Sequence, residues 1–233
     1  MKRSTINDIM GQADDLIRHH GFTLPPFAYW SPEDFRTRVA DGPAARIATS
    51  RMGWDITDYG KGDFDNLGLF LFTLRNGALA DLQAGRGMVY AEKLLISRQD
   101  QISPMHTHVI KSEDIINRGG ATLIVELFGS DDAGNFAQDK GGMVRCDGLA
   151  RPFAAGEKLA LAPGESVTLN PGDWHAFWGE GGDVLIGEVS TVNDDETDNI
   201  FREEIGRFAE IEEDTAPKHL LVSDYATWFT PAP

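Results

Sequence analysis

The chain has 233 residues, of which 41% are hydrophobic and 25% are charged, and its formal net charge at pH 7 is −16. This composition is typical of a globular protein that buries a core, and the negative charge disfavours nucleic acid and anionic membranes as partners. A single cysteine, Cys146, excludes an intrachain disulfide and indicates a reducing compartment. Since no apolar run typical of a signal peptide or a membrane span is found, we expect a cytoplasmic protein.

The first segment predicts a helix. Apolar residues recur at helical spacing over residues 5–20, and Gly21 follows as a stop signal. His19 and His20 stand at the C-terminal end of this amphipathic helix, where the helix dipole favours an imidazolium. We therefore do not assign them to a metal site.

A second helix and a loop are expected before the strands begin. Ser31 and Pro32 form a typical helix start, with Ser31 as the N-cap and proline at the first helical position. This helix should end before Gly42. Residues 51–65 are rich in Gly and Asp and predict a loop with turns, in which Trp54 either packs in the core or covers a substrate.

Short strands separated by Gly and Pro turns dominate the chain from residue 67 onward. We expect strands over residues 67–74, 88–97, 102–108, 113–118, 122–128, 143–146, 158–161, 166–169, 174–178 and 183–191. Residues 75–77, with the sequence Arg-Asn-Gly, predict a hairpin after the first of these strands. The pattern indicates an all-β sandwich or closed barrel, and a barrel of this size can hold one small ligand.

We expect a single domain over residues 1–233. Residues 1–60 should form a helical and loop extension, residues 64–195 the β-barrel core, and residues 196–233 a C-terminal tail that packs on the barrel. The charged residues of the tail predict a solvated helix, after which residues 218–225 should return to the sheet. Three of these charged residues could instead fold over the barrel mouth: Glu204, Arg207 and Glu210.

Two imidazoles and a carboxylate lie close together in the third and fourth predicted strands. Alternate side chains of a strand share a face, so His106 and His108 should point the same way. The four residues before Glu113 allow a tight reversal that returns its carboxylate beside the imidazoles. A later Pro-Gly turn places His175 at the start of another strand. These four side chains form a candidate metal site.

The composition of this site indicates the class of metal. Three nitrogens and one oxygen suit a borderline divalent ion such as Mn²⁺, Fe²⁺, Co²⁺, Ni²⁺ or Zn²⁺, and they leave coordination positions open for water or substrate. Any one of these histidines could be a hydrogen-bonded core or surface residue. The chain holds only six histidines, however, and three of them fall into this pattern. The joint pattern therefore favours a catalytic metal site.

These segments resemble the two motifs of the cupin superfamily. The first contains His-x-His, four residues, Glu113 and then Gly120, and the second contains Gly164 followed by Pro171-x-x-x-His175. Longer strings more closely resemble the D-lyxose isomerase family of sugar isomerases, and the similarity covers nearly the whole chain. These strings are PPFAYW at residues 25–30, GWDITD at 53–58, ISPMH at 102–106, EDIINRGG at 113–120 and GEVSTVNDD at 187–195.

The resemblance implies a cupin-type double-stranded β-helix barrel with an N-terminal helical extension. It implies a metal-dependent aldose–ketose isomerase that interconverts D-lyxose and D-xylulose, and also D-mannose and D-fructose, through an enediol. The implied cofactor is a divalent ion, with Mn²⁺ preferred, and the implied substrate is a small unphosphorylated monosaccharide. The family resemblance also implies a homodimer. The residues expected to contact the sugar are Lys93, His106, His108, Glu113 and His175.

Two further charged residues, Lys93 and Glu188, are candidates for the proton transfer. Glu92 and Lys93 lie on opposite faces of one strand, so one of them points inward, and the residues alone do not decide which. The family resemblance favours Lys93, because a family lysine stands thirteen residues before the first ligand histidine. Glu188 lies in a strand too apolar to be fully exposed, so its carboxylate is either buried beside the metal or on the outer face. The polar residues after it are more typical of turn capping: Asn193, Asp194 and Asp195.

Two other functions are consistent with the same residues. An iron-dependent cupin oxygenase could use much the same ligands and would consume oxygen. A non-enzymatic sugar-binding or metal-binding cupin would bind its ligand without turnover. The open coordination and the charge of Lys93 near the motif disfavour this last function.

Overall fold

The computed structural model describes residues 1–40, 42, 44–194 and 197–229. Its helices are α1 (Arg3–His19), α2 (Pro32–Ala40), α3 (Ala45–Thr49), α4 (Leu79–Ala84) and α5 (Tyr225–Phe229), with 3₁₀ turns at Pro26–Tyr29 and Val222–Asp224. Its strands are β1 (Gly53–Thr57), β2 (Leu69–Asn76), β3 (Tyr90–Ser97), β4 (Ser103–His108), β5 (Glu113–Ser130), β6 (Phe136–Ala137), β7 (Gly142–Cys146), β8 (Leu149–Phe153), β9 (Glu157–Leu161), β10 (Ser166–Leu169), β11 (Trp174–Thr191) and β12 (Asn199–Phe201). Within the described ranges, none of the helices has the length and apolar character that a bilayer crossing requires.

The long strands β5 and β11 are the centre of the barrel, and they pair with each other along most of their length. The first part of β5 pairs with β10 and its second part with β9. The first part of β11 pairs with β4, and its second part with β3, which continues to β2 and β1. Each long strand therefore belongs to both faces of the barrel, and the space between the faces is the interior.

A bend in both central strands makes this exchange of faces possible. Gly120 has a φ of +101°, and a Cβ atom there would lie 2.2 Å from the carbonyl oxygen of Asp183. Only glycine fits this close approach of two backbones. The pairing of β11 with β5 shifts register at the same level, between Glu180 and Val184. Such irregularities bend a strand and allow it to pass from one sheet to the next.

Alternate residues of β2 and β3 belong to different cores. Their outward side chains pack under α1 in the first core: Phe70, Phe72, Leu94 and Ile96 against Ile6, Ile9, Met10, Ala13 and Ile17. Their inward side chains enter the barrel core, which also contains Ile115, Leu123, Phe177 and Ile186. Helix α1 therefore covers one outer face of the barrel, and the positions of Leu69, Leu71 and Leu95 define the inner face.

The predictions for the two N-terminal helices are confirmed. Helix α1 begins and ends within two residues of the predicted range. At the start of α2, the Ser31 hydroxyl oxygen accepts a hydrogen bond from the Asp34 N–H at 3.1 Å, while the Asp34 carboxylate accepts one from the Ser31 N–H at 3.3 Å. This reciprocal pair is a capping box, so Ser31 is the N-cap as predicted.

Several strand predictions have the right place but the wrong ends. Residues 113–118 and 122–128 belong to the single strand β5, and residues 174–178 and 183–191 to the single strand β11. The glycines that predicted turns instead allow a continuous strand to bend. β2 and β3 pair antiparallel as a hairpin requires, but the tight turn predicted at residues 75–77 is wrong, because α4 lies between the two strands. The loop prediction for residues 51–65 is partly wrong, since β1 forms there by pairing with β2.

The solvated helix predicted in the C-terminal tail is also wrong. Strand β12 pairs with β4, and residues 202–220 contain no helix. The charged residues of the tail bind individual partners instead of sharing one solvated face: Arg207 with Asp55, Glu213 with Arg3 and Asp214 with Ser4. As predicted, the chain then returns to the barrel, where Leu221 forms a bridge with Trp54 of β1.

Candidate metal and catalytic site

The four candidate ligands come together in the interior of the barrel. Strand β4 carries His106 and His108, β5 begins at Glu113, and β11 carries His175. The register of β11 and β4 places His175 opposite His106. The nitrogen and carboxylate oxygen atoms available for coordination all lie within 4.8 Å of one another. The structure therefore brings together the four side chains that the sequence analysis selected.

Backbone carbonyls orient two of the imidazoles. His106 Nδ1 lies 2.8 Å from the carbonyl oxygen of Pro104, and His175 Nδ1 lies 3.0 Å from that of Asp173. A carbonyl oxygen can only accept, so Nδ1 carries the proton in both rings and Nε2 keeps its lone pair. Such contacts are typical of imidazoles that bind a metal through the other nitrogen.

The buried Nε2 atom of His175 indicates whether a cation would fit this cluster. Glu113 Oε1 lies 3.2 Å from His175 Nε2 and 3.1 Å from His108 Nε2. Even so, His175 Nε2 has no hydrogen bond of acceptable geometry among the described residues, although it is fully buried. Leaving such an atom without a partner costs free energy. A divalent cation would satisfy it, so the donor set fits a metal ion.

The electrostatics of the cluster favour the protonation states that a metal requires. Burial and the neighbouring imidazoles lower the pKa of His106 well below its usual value, and burial with the Lys111 ammonium lowers the pKa of His108. Burial alone would raise the pKa of Glu113, but Lys111 and His108 hold it well below its usual value. The two histidines are therefore neutral and Glu113 is ionised near neutral pH, as metal ligands must be.

Lys93 and Glu188 line a pocket together with three of the candidate ligands, His106, His108 and Glu113. They face each other across β3 and β11, and Lys93 Nζ lies 3.3 Å from Glu188 Oε1. Both side chains are buried. Glu92 instead pairs with Arg75 at 2.9 Å and has no contact with this network among the described residues. Of Glu92 and Lys93, it is therefore Lys93 that points inward. The Glu188 carboxylate lies inside the barrel and not on its outer face.

The bend of β11 explains how two of its residues reach one pocket. His175 and Glu188 are an odd number of residues apart, so a regular strand would place them on opposite faces. The register shifts after Glu180 and after Leu185 interrupt this alternation. Both side chains consequently point into the barrel.

Sequence analysis missed Lys111, which connects the ligand cluster with the Lys93–Glu188 pair. Its Nζ lies 2.7 Å from Glu113 Oε2 and 3.1 Å from Glu188 Oε1, and the side chain is buried. A usable signal was present, because Lys111 is the only charged residue between His108 and Glu113. A tight turn of this kind is normally exposed, so the burial of this lysine is not expected from the sequence.

The polar residues after β11 differ from one another in their contacts. Asn193 was expected to cap a turn, but its Oδ1 also accepts a hydrogen bond from Lys93 Nζ at 2.6 Å, so it belongs to the buried network. Asp194 does cap a turn, since it accepts a hydrogen bond from the Thr197 N–H at 3.3 Å. Asp195, which was grouped with them, lies outside the described residues.

A pocket opens beside these groups in the interior of the barrel. One wall is apolar, and the C-terminal tail contributes Asn199, Phe201 and Arg207 to the other. Of the three tail residues considered for the barrel mouth, Arg207 therefore does line the pocket, whereas Glu204 and Glu210 do not. Trp54 is 3% exposed and packs on Phe72, so it belongs to the core and does not cover a substrate.

Comparisons with known proteins give one consistent assignment. The sequence model of the family described as D-lyxose isomerase matches residues 1–225. The chain is 45% identical over 227 residues to a D-lyxose/D-mannose isomerase of Serratia proteamaculans, which covers 97% of this chain and 98% of that protein. A D-lyxose/D-mannose isomerase of Escherichia coli O157:H7 is 43% identical over the same shares of both chains.

Solved structures support the fold. The L-ribose isomerase of Cellulomonas parahominis with L-ribose has a TM-score of 0.56 at 19% identity, and that of Acinetobacter sp. DL28 in complex with L-ribose has a TM-score of 0.57 at 16% identity. Each alignment covers 91% of this chain and 98% of the other. The expected all-β, cupin-type barrel with an N-terminal helical extension is therefore confirmed. By sequence and by family match, the chain belongs to the D-lyxose isomerase family and is a sugar isomerase.

Proposed function

We propose that this isomerase interconverts D-lyxose and D-xylulose, and D-mannose and D-fructose, in a reaction that depends on a divalent metal ion. The names of the two curated relatives support the choice of sugars. The unphosphorylated substrate is inferred from the family resemblance and agrees with the sugars named for the two relatives.

We assign the metal to His106, His108, Glu113 and His175. Three imidazoles and one carboxylate suit a borderline divalent ion. The family resemblance favours Mn²⁺, and Co²⁺, Fe²⁺, Ni²⁺ or Zn²⁺ could replace it. When bound, such an ion supplies Lewis acidity toward neighbouring oxygens of an open-chain sugar. The same four side chains would then form the floor of the sugar site.

We assign the transfer of the carbon-bound proton to Glu188. Isomerisation of an aldose removes a proton from C2 and returns it to C1, so one carboxylate can serve first as base and then as acid. Lys93 and Lys111 both contact the Glu188 carboxylate, at 3.3 and 3.1 Å, and hold it in place inside the pocket. No oxidant is needed, since the sugar only exchanges the positions of its carbonyl and hydroxyl groups.

Lys93 is assigned to the sugar oxygens. While the proton is away from carbon, negative charge develops on O1 and O2, and a hydroxyl proton must pass from O2 to O1. A buried ammonium group stabilises such charge strongly, because little water is present to screen it. Lys93 Nζ is 3.3 Å from the Glu188 carboxylate, which takes the proton from carbon, so both groups can act on the same edge of the sugar.

One observation carries this proposal. The Lys111 ammonium contacts both Glu113, a candidate metal ligand, and Glu188, the candidate base. The base therefore lies one side chain away from the candidate metal ligands, where it would be near a sugar bound to an ion that they held.

The test is an anaerobic assay with two sugars. Metal-loaded and chelator-treated protein are incubated with D-lyxose or D-mannose, and D-xylulose or D-fructose is measured. Ketose formation that requires metal but not oxygen supports the proposal. Oxygen consumption with an iron requirement would select the oxygenase, and tight sugar binding without turnover would select the binding protein.

We also propose that the protein works as a homodimer in the cytoplasm. The dimer is inferred from the family resemblance, and the compartment from the single cysteine. Sedimentation equilibrium over a range of protein concentrations tests the dimer, because a monomer mass at every concentration would contradict it.

A further inference from the structure

One buried carboxylate holds the turn that follows His108. Asp198 Oδ1 accepts hydrogen bonds from the backbone N–H groups of Val109 at 3.0 Å and Ile110 at 2.7 Å. Its Oδ2 accepts a third from the N–H of Lys111 at 2.9 Å. Asp198 is 5% exposed, so these bonds are shielded from water. Hydrogen bonds to an ionised acceptor are about twice as strong as neutral ones.

This turn depends on hydrogen bonds because it has little apolar packing. The side chains of Val109 and Ile110 are 55% and 52% exposed. Besides Asp198, a second side chain holds the turn, since Thr191 Oγ1 accepts a hydrogen bond from the Ser112 N–H at 3.2 Å. Two backbone hydrogen bonds also hold the turn, from the Val109 N–H to the Asp198 carbonyl oxygen at 3.3 Å and from the Thr191 N–H to the Ser112 carbonyl oxygen at 3.0 Å. Side-chain and backbone acceptors together therefore set its position.

The turn matters because it carries Lys111 into the pocket. The Lys111 side chain starts from the backbone that Asp198 holds, and its ammonium contacts Glu113 and Glu188. On the basis of the function proposed above, we propose that Asp198 is a positioning residue for the isomerisation. It fixes the backbone of Lys111, and Lys111 in turn aligns the Glu188 carboxylate for proton transfer.

The C-terminal tail is coupled to the site by the same residue. Asp198 immediately precedes β12, whose Asn199 pairs with His108 and lines the pocket. One carboxylate thus joins the strand that brings the tail to the pocket and the turn that brings Lys111 to it.

The test uses Asp198→Asn, which keeps the size of the side chain. Its Oδ1 can still accept from Val109 and Ile110, but its NH₂ group would face the N–H of Lys111, so the change acts mainly on that residue. We expect kcat to fall about 10- to 100-fold, as a misplacement of about 1 Å can cause. KM and bound metal should stay at the wild-type level.

Asp131→Asn is the matched control. Asp131 Oδ1 also accepts backbone N–H groups, those of Ala133 and Asn135 at 2.9 Å, in an exposed turn outside the pocket. This variant should leave kcat and KM unchanged. If Asp198→Asn is too unstable to purify, Asp198→Glu, which keeps the carboxylate but moves it by one methylene, is measured instead: kcat should again fall while bound metal stays.

Amide hydrogen exchange gives a readout that does not need activity. The Lys111 amide should exchange faster in Asp198→Asn than in wild type, while the Asp131→Asn variant should leave it unchanged. A wild-type kcat, or a loss of kcat in proportion to lost metal, would overturn the positioning role. Wild-type protein without isomerase activity would instead overturn the proposed function, and the exchange rates would still decide whether Asp198 holds the turn.

Discussion

Lys93 and Glu188 lie directly opposite each other in the pairing of β3 with β11, with Nζ and Oε1 3.3 Å apart. Their side chains are only 3% and 5% exposed, so neither charge is solvated. An ion pair this deeply buried is costly for stability unless further hydrogen bonds satisfy both groups. Lys111 and Asn193 provide such partners, and both charged groups line the pocket, where they can contact a substrate.

Glu188→Gln should abolish most turnover and leave the metal in place. The amide has nearly the same shape but cannot take a proton from carbon, so kcat should fall by about 10²- to 10⁴-fold. Metal content by mass spectrometry should equal that of wild type, because Glu188 is not one of the clustered ligands. Glu92→Gln, in the adjacent strand but paired with Arg75, is the control and should retain wild-type kcat. A wild-type rate for Glu188→Gln would remove this carboxylate from the mechanism.

Lys93→Met should lose both turnover and stability while keeping the metal. Removing one partner of a buried ion pair typically costs about 3–5 kcal/mol, and the Lys111 contact to Glu188 should bring the loss toward the lower value. The double variant with Glu188→Gln should be less destabilised than the sum of the two single variants, because no unpaired charge remains. Urea unfolding measures these free energies. Strict additivity would mean that the two groups do not interact.

A site residue could be predicted from the sequence where its neighbours in the chain carry the signal. The pair His106 and His108 is spaced for one strand face, and a Pro-Gly turn marks His175, so these could be selected from the sequence alone. The inward orientation of Lys93 required the closed sheet, because alternation cannot distinguish the two faces of a strand. Lys111 has one local signal, as the only charged residue between His108 and Glu113, but its burial depends on contacts with distant residues such as Asp198 that the sequence does not reveal.

The same reasoning explains the errors in the fold. Gly119 and Gly120 predict a turn locally, yet the backbone pairing with β11 continues across them, and β5 remains one strand. The charged residues of the tail predict a helix, but the tail begins with strand β12, in which Asn199 pairs with His108. In both cases long-range pairing overrides a local preference.

His106→Ala and His175→Ala should each abolish metal content and activity together. Each removes one of three nitrogens from the cluster, and the remaining ligands are too few to compensate. His19→Ala is the control, because this imidazole lies at the exposed end of α1 and should change neither quantity. Metal analysis and the D-lyxose assay give the two readouts. Retention of metal by both ligand variants would mean that the cluster is not the metal site.

The metal-free protein should lose stability as the pH falls below about 6.5, the ordinary pKa of histidine. Burial lowers the pKa of His106 and His108 in the folded protein, so the unfolded chain binds protons first. Stability is therefore full above the unfolded value and declines as the pH drops toward the folded values. Urea unfolding at a series of pH values measures the slope. His106→Gln should reduce it, and an unchanged slope would place the titration elsewhere.

Gly120→Ala should destabilise the protein through the bend that β5 shares with β11. The positive φ of +101° alone should cost about 1–2 kcal/mol for a residue with a side chain. The clash of the new methyl with the Asp183 carbonyl, 2.2 Å away, adds to this because backbone on both strands would have to move. Gly11→Ala is the matched control. Its new methyl meets nothing within 4 Å, and in the middle of α1 it should stabilise by about 0.5–1 kcal/mol. Thermal unfolding should move in opposite directions for the two variants, and equal shifts would show that the bend does not require glycine.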